Sequence, residues 1–245
     1  MEIKKFLKRI SPYVLVNMSI LKRLSLADDM RTLKEFRDYA LNNNYLDVHE
    51  YENSRCFSIS AEGFKLLDIP HQPSLQFTET QADLICRNNH LRIGFEQSLK
   101  PLNIDLKWVT GGKFAKSPLY IKHNRKEHHL QPTSAAILRD KSNKHRVYLT
   151  LEYNELERLN SELYLYSKYE AKGLHIKRFY LDPQAEMRII VLVQSYKQAW
   201  QIYKRIKNAW YNKILFLPTN RVQVDHLLSR DVFLSADGQS CSIIT

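Results

Sequence analysis

The apolar run Met187–Val193 constrains what this chain can fold into more than any other stretch. A half-buried strand alternates apolar and polar residues, whereas a strand covered on both faces reads as consecutive large aliphatic side chains. Such a strand belongs inside a sheet that has helices on both sides. Its flanks agree. Glu155–Lys172 reads as a long helix with Leu156, Leu159, Leu163 and Tyr166 along its inner face. Ser195 caps a further helix to about Trp210, and Ile214–Leu217 is another strand. Upstream, Ser134–Arg139 and Arg146–Tyr153 are strands joined by the basic turn Asp140-Lys141-Ser142-Asn143-Lys144. In the second of these, Val147, Leu149 and Leu151 alternate with Tyr148, Thr150 and Glu152. Ile104–Val109 is a strand closed by the turn Gly111-Gly112, and Asn88–Lys100 is a helix with Leu91, Phe95 and Leu99 on one face. The order is α-β-β-β-α-β-α-β.

The first 70 residues read differently, as three helices and a hairpin. Ile3–Ile10 is a short helix, and Ser11-Pro12 caps and begins a second running to about Leu24. Thr32-Leu33-Lys34-Glu35 has the form of a capping box opening a third, which ends at Asn42-Asn43-Asn44. Tyr45–His49 and Cys56–Ser60 are strands, and Ser60 starts a closing helix through Leu67. A linker is expected at 71–78, marked by Pro70 and Pro73, so the expected domains are 1–70 and 79–220, with an extension over 221–245.

Charge separates the two parts. The chain carries a net +11, and residues 1–75 hold 11 Lys and Arg against 10 Asp and Glu. The excess therefore lies in residues 76–245, with 26 against 16, and favours a polyanionic partner, most simply nucleic acid. Mean hydropathy of −0.44 and the lack of any run of about 18 apolar residues argue against a membrane span. The start, MEIKKFLKRISPYVLV, has too short an apolar run for a secretory signal. Cys56, Cys86 and Cys241 are scattered without metal-ligand spacing, which points to a reducing compartment, so a cytoplasmic protein is expected.

Two resemblances follow from these patterns. Residues 1–70, including FSISAEGFKLL (Phe57–Leu67), resemble a winged helix–turn–helix. That resemblance implies that the Thr32 helix enters a DNA groove, with Arg31, Lys34 and Arg37 on one exposed stripe and Arg55 on the wing. The wing also carries Asp47, Glu50 and Glu52, a poor surface beside phosphates. Residues 79–220 resemble the α-β-β-β-α-β core of a restriction-endonuclease-like domain. Active members carry Pro-Asp before the second strand and Asp/Glu-x-Lys on the third, which hold Mg²⁺ and activate a water. Here Thr133 follows Pro132, and Asn154 stands two residues after Glu152, so a carboxylate and the lysine are missing. Glu96 is a candidate second carboxylate, weighed against an ordinary solvated glutamate.

Together with NNHLRIGFEQSL (Asn88–Leu99), LKW (Leu106–Trp108), PTSAAIL (Pro132–Leu138) and YLTLEYN (Tyr148–Asn154), this order is similar to the replication-relaxation family of plasmid and mobile-element proteins. The resemblance implies double-stranded DNA binding in mobilisation or replication, beside a relaxase or replication initiator. No cofactor, metal or catalytic residue is expected. A metal-dependent nuclease using Glu152, and a transcriptional regulator or protein adaptor, remain as alternatives, as does a homodimer.

The expected DNA contacts in the second part are Lys113, Lys116, Lys122, Arg125, Lys126, Lys141, Lys144 and Arg146. Lys122–His129 holds three histidines, but cations among them would repel a metal, so it reads as a basic DNA-contacting loop. Lys197, Lys204, Arg205 and Lys207 form the wet side of the penultimate helix, and with Lys141, Lys144 and Arg146 they are candidates for a second basic face.

Overall fold

The computed structural model describes residues 2–24, 26, 29–70, 76–206, 213–222, 227, 232–235 and 239–242. The chain is a mixed α+β protein of two compact units, Met1–Ile93 and Gly94–Thr245.

The first unit begins with helices α1 (Ile3–Ile10), α2 (Met18–Arg23) and α3 (Met30–Asn42). An antiparallel hairpin of β1 (Leu46–Glu50) and β2 (Arg55–Ile59) follows, then α4 (Ala61–Leu67) and most of α5 (Glu79–Leu99). α2 starts later than the sequence suggests. Val16 and Phe57 exchange both backbone hydrogen bonds (2.8 and 2.7 Å), so residues before Asn17 are drawn out against β2, and Asn17 caps α2 by accepting from Ile20 N–H. α3 also starts earlier than the expected capping box. Asp29 is the cap, accepting from the N–H groups of Arg31 (2.7 Å) and Thr32 (2.8 Å). The Thr32 hydroxyl donates to the same carboxylate, and Glu35 is held by Arg31. A carboxylate at the N-cap meets two N–H groups and the helix dipole at once, which a threonine one turn later cannot match.

Ser60 does cap α4, accepting from Gly63 N–H at 3.1 Å while donating to the Asn44 carbonyl. Gly63 must be glycine, because a β-carbon there would run into the Tyr45 carbonyl oxygen. The core gathers Phe6, Leu7, Ile10, Ile20, Leu33 and Phe57 with Ala82, Cys86 and Ile93 of α5. The first unit therefore extends past the expected linker to residue 93, and residues 71–75 of that linker lie outside the described residues.

The second unit is built on a mixed seven-stranded sheet, ordered β11-β10-β9-β8-β7-β6-β3. Its antiparallel half is β3 (Asp105–Thr110), β6 (Ser134–Arg139) and β7 (His145–Glu152). Its parallel half is β7, β8 (Glu186–Val193) and β9 (Ile214–Pro218). The short strands β10 (Phe233–Ser235) and β11 (Ser240–Cys241) close one edge. β8 lies between β7 and β9 as its composition demands, with Ile189–Val193 at 2% exposure or less.

On one sheet face, Val147, Leu149, Leu151, Ile189 and Val191 pack with Leu159, Leu163 and Tyr166 of α7 (Leu156–Ala171) and with Ala199 and Ile202 of α9 (Tyr196–Tyr203). On the other face, Phe95 of α5 meets the rings of Trp108 (6.0 Å) and Tyr148 (5.9 Å). Between α7 and β8 lies α8 (Leu174–Phe179). The penultimate helix ends at Tyr203, short of the expected reach to Trp210, because the chain leaves the helix at Lys204; Lys207 and Trp210 themselves lie outside the described residues.

Two insertions between β3 and β6 depart from the sequence expectation. Gly111 and Gly112 open a short helix, α6 (Gly111–Lys116), instead of a turn. A β-carbon on Gly111 would lie 2.7 Å from the Thr133 carbonyl oxygen, so glycine lets the chain pass close to the start of β6. The polar stretch read as a loop is a hairpin of β4 (Leu119–His123) and β5 (Lys126–Leu130), seated on the core by Leu119, Ile121 and Leu130.

Candidate nucleic-acid interface

In the first unit, the expected stripe on α3 does not form as a set. Arg31 and Lys34 are exposed, but Arg31 pairs with Glu35 at 3.0 Å. Arg37 is turned inward, with 19% of its side chain exposed. It bonds Asp38 and Met18 and lies 5.9 Å over the Phe57 ring, so it holds α3 to α2 and β2. Arg55 pairs with Glu50 at the β1–β2 tip.

Behind α3, buried His90 sits 3.0 Å from the Ser19 hydroxyl, and its carbonyl accepts from Arg23. Burial, and then the Arg23 charge, push the imidazole down to about 4, so it is neutral at pH 7.

The second unit places its cations differently. The β4–β5 hairpin turns on two residues, Asn124 (φ 49°) and Arg125 (φ 62°), both left-handed. Two-residue hairpins favour such turns because their twist matches the strands, and Asn-Gly is the cheap sequence for them. Arginine at the second position costs about 1 kcal/mol relative to glycine. It stands exposed at the tip between Lys122 and Lys126. The hairpin is held near its tip where Lys172 donates to the Lys122 carbonyl (2.6 Å), and just before β4 where Arg178 donates to the Ser117 carbonyl (2.8 Å). Lys113 and Lys116 are exposed on α6.

Lys141, Lys144 and Arg146 gather at the β6–β7 turn, where Asp140 accepts from Ser142 and Lys144. The Ser142 hydroxyl, then the backbone N–H groups of Lys144 and Ser142, hold the Asp140 carboxyl below its usual range. This turn and the expected cleavage position lie at opposite ends of β7, six residues or about 20 Å apart. Lys204 and Arg205 line a cleft of about 460 Å³ with Tyr153 and Leu156, at the Glu152 end of β7. They do not join the β6–β7 turn, so the second basic face weighed from sequence is not assembled.

At the expected cleavage position, Thr133 directs its hydroxyl back into the sheet, donating to the Thr150 carbonyl at 3.1 Å beside its own N–H at 2.8 Å. Glu152 ends β7 opposite Leu192, and Asn154 is exposed just beyond. Thr150 and Glu152 alternate with Tyr148 onto the Phe95 face, the side on which Glu96 begins the next turn of α5. Among the described residues, no three His, Cys, Asp or Glu side chains converge as metal ligands. Of the three expected cleavage positions, Thr133 offers a neutral hydroxyl that already donates and Asn154 an uncharged amide, so Glu152 alone offers an anionic oxygen to a hard cation.

Sequence reading missed Tyr164 of α7, whose hydroxyl lies 3.1 Å from His123 Nε2, and the Tyr120–His129 ring pair (4.4 Å). The signal was present in the alternation of Leu119 and Ile121 ahead of Asn124, but a polar composition masked it. Among the described residues, no helix is long and apolar enough to cross a membrane.

No family model and no curated protein matches the chain. Two solved structures match part of the chain. An fdxN element excision controlling factor protein from Anabaena variabilis is 12% identical, covering 55% of this chain and 94% of that one, with a TM-score of 0.29. An XisH family protein from Nostoc punctiforme is 10% identical, covering 54% and 94%, with a TM-score of 0.31.

Proposed function

We propose that this protein binds double-stranded DNA without cutting it, as an accessory factor of a plasmid or mobile element in mobilisation or replication. The observation that carries the reading is where the charge sits. The unit Gly94–Thr245 holds 24 Lys and Arg against 14 Asp and Glu. Its exposed cations include Lys113 and Lys116 on α6, Arg125 and Lys126 at the hairpin, and Lys141 at the β6–β7 turn. None of these five forms an ion pair among the described residues. Cations left without acidic partners are those that can release counterions from a phosphate backbone.

Two further features support the reading. The order α1-α2-α3-β1-β2-α4 supports reading the first unit as a winged helix–turn–helix, with α3 as the proposed reading helix and Arg31 and Lys34 at its exposed start. The succession β3, β6, β7, α7, β8 supports reading the second as restriction-endonuclease-like, where Thr133, Glu152 and Asn154 would supply one carboxylate in place of the two and a lysine that catalysis calls for. A relaxase or replication initiator is the proposed partner, contacted through the acidic β1–β2 hairpin, where Val48 is 41% exposed.

Anisotropy with element DNA at several salt concentrations tests the proposal. Neutralising about six phosphates gives a log–log slope of about −5. Binding that is absent, or indifferent to salt, rejects it. Incubating supercoiled plasmid with Mg²⁺ or Mn²⁺ tests the non-catalytic part, and nicking that disappears in Glu152→Gln overturns it.

A further inference from the structure

A groove of about 540 Å³ runs between the inner face of the β4–β5 hairpin and α7. The hairpin contributes His123, Lys126 and His128, and α7 contributes Asn160 and Tyr164. We propose that this groove is a subsite for single-stranded nucleic acid, with a base lying against Tyr164 and a neighbouring phosphate against Lys126. The inference extends the DNA reading to a second form of nucleic acid, at a groove that shares Lys126 with the proposed duplex contacts.

Three observations carry it. First, Tyr164 is a large aromatic left 43% exposed on a helix whose Leu163 and Tyr166 are fully buried. Its ring meets the His123 ring edge-on (5.3 Å, 76°), and the Lys168 ammonium lies 5.1 Å from its centroid. An aromatic platform beside cations is the common device for holding unpaired bases, because every base has a π-face and every nucleotide a phosphate. A duplex keeps those faces stacked inside and cannot offer them.

Second, both walls are fixed before any ligand arrives. Leu119, Ile121 and Leu130 seat the hairpin in the core, Lys172 donates to the Lys122 carbonyl across to α7, and Tyr164 is set by its bond to His123. A preorganised groove spends little binding energy on ordering side chains.

Third, the outer hairpin face carries the same residue types outside the groove. Tyr120, 55% exposed, packs on His129 at 4.4 Å, and neither residue lines the groove. The two faces of one hairpin thus provide the test and its control.

The experiment uses the full chain, with fluorescein-labelled oligothymidylate, oligouridylate and a short duplex as probes. The wild type is expected to bind at least one single strand, and the tighter of the two identifies the sugar the groove accepts. Tyr164→Ala should weaken single-strand binding about tenfold, the scale of one lost stacking contact. Tyr164→Phe, which keeps the ring but loses the His123 bond, should lose less than Tyr164→Ala, while Tyr120→Ala and the affinity of Tyr164→Ala for duplex should each stay within about twofold of wild type. Photo-cross-linking of a halogenated-uracil strand to the wild-type protein should label Tyr164, a readout that needs no variant to fold. The inference is overturned if the wild type binds neither single strand, if Tyr120→Ala loses as much as Tyr164→Ala, or if the cross-link maps away from α7. Each of those results leaves duplex binding and its salt slope standing, so the two proposals fail separately.

Discussion

The two units carry similar numbers of acids, yet they use their cations in opposite ways. Met1–Ile93 has 13 Lys and Arg against 12 Asp and Glu, and its arginines are built into the structure. Arg23 donates to the His90 carbonyl, Arg37 clamps α3 to Met18 and Phe57, and Arg92 donates to the Pro12 carbonyl and lies over Tyr13. In Gly94–Thr245, with 24 against 14, exposed cations stand on α6, at a hairpin tip and at the β6–β7 turn. The contrast teaches that a count of basic residues does not locate an interface. A cation bonded to carbonyls or pressed on a ring already has its partner, and only one without such a partner has its interaction energy in reserve for a ligand.

The largest expected effect tests that contrast directly. Replacing Arg125 and Lys126 together with alanine should flatten the log–log salt slope of duplex binding by about 2 and weaken affinity roughly thirtyfold at moderate salt. Replacing Arg31 and Lys34 instead should weaken binding to a preferred site more than to random DNA. If the Arg31 and Lys34 pair flattens the slope as much as the hairpin pair, the division of labour is wrong.

A second effect belongs to the first unit. His90 is held neutral with its pKa down at about 4, whereas in the unfolded chain it titrates near 6.5. Between those values the unfolded state binds the extra proton, so stability is full above about pH 6.5 and falls as pH drops toward 4. The loss approaches about 3 kcal/mol. Urea titrations at neutral pH and near pH 4.5 should show it in the wild type, and His90→Gln should show a flatter dependence. Equal dependence in both would remove His90 as the cause.

The helix caps compare the units on a smaller scale. Ser60 accepts from Gly63 and also donates to the Asn44 carbonyl, whereas Ser195 only receives the N–H of Gln198. Ser60→Ala should therefore cost about 2 kcal/mol and Ser195→Ala about 1. Thermal midpoints of the two variants rank them, and a reversed order would mean that the Asn44 bond contributes nothing. The smallest effect has the opposite sign. Arg125→Gly should stabilise the hairpin by about 1 kcal/mol by relieving a left-handed arginine, while lowering duplex affinity. A variant that gains stability and keeps full affinity would show that Arg125 has no role in binding.

How legible the molecule was depended on where each signal is stored. α1, α4, β6 and β8 could be read because their determinants are local: a periodic apolar face, a serine cap, a strand buried on both sides. The β4–β5 hairpin could not, because only Leu119, Ile121 and Leu130 face inward and its other residues look like a loop. The start of α3 was misplaced because a threonine–glutamate pattern is also satisfied by an aspartate three residues earlier. In the candidate interface, the composition pointed to basic residues, but it did not tell Arg37 from Arg125.

The sequence by itself determined the order of the sheet core β3, β6, β7, α7 and β8, the burial of β8 and the charge contrast along the chain. Those properties depend on residue type and spacing along one segment. Only the tertiary structure decided which cations have partners and that Tyr164 of α7 meets His123 of the hairpin. These depend on segments 41 to 50 residues apart meeting in space, and a bond such as that from Lys172 to the Lys122 carbonyl leaves no trace in either segment alone.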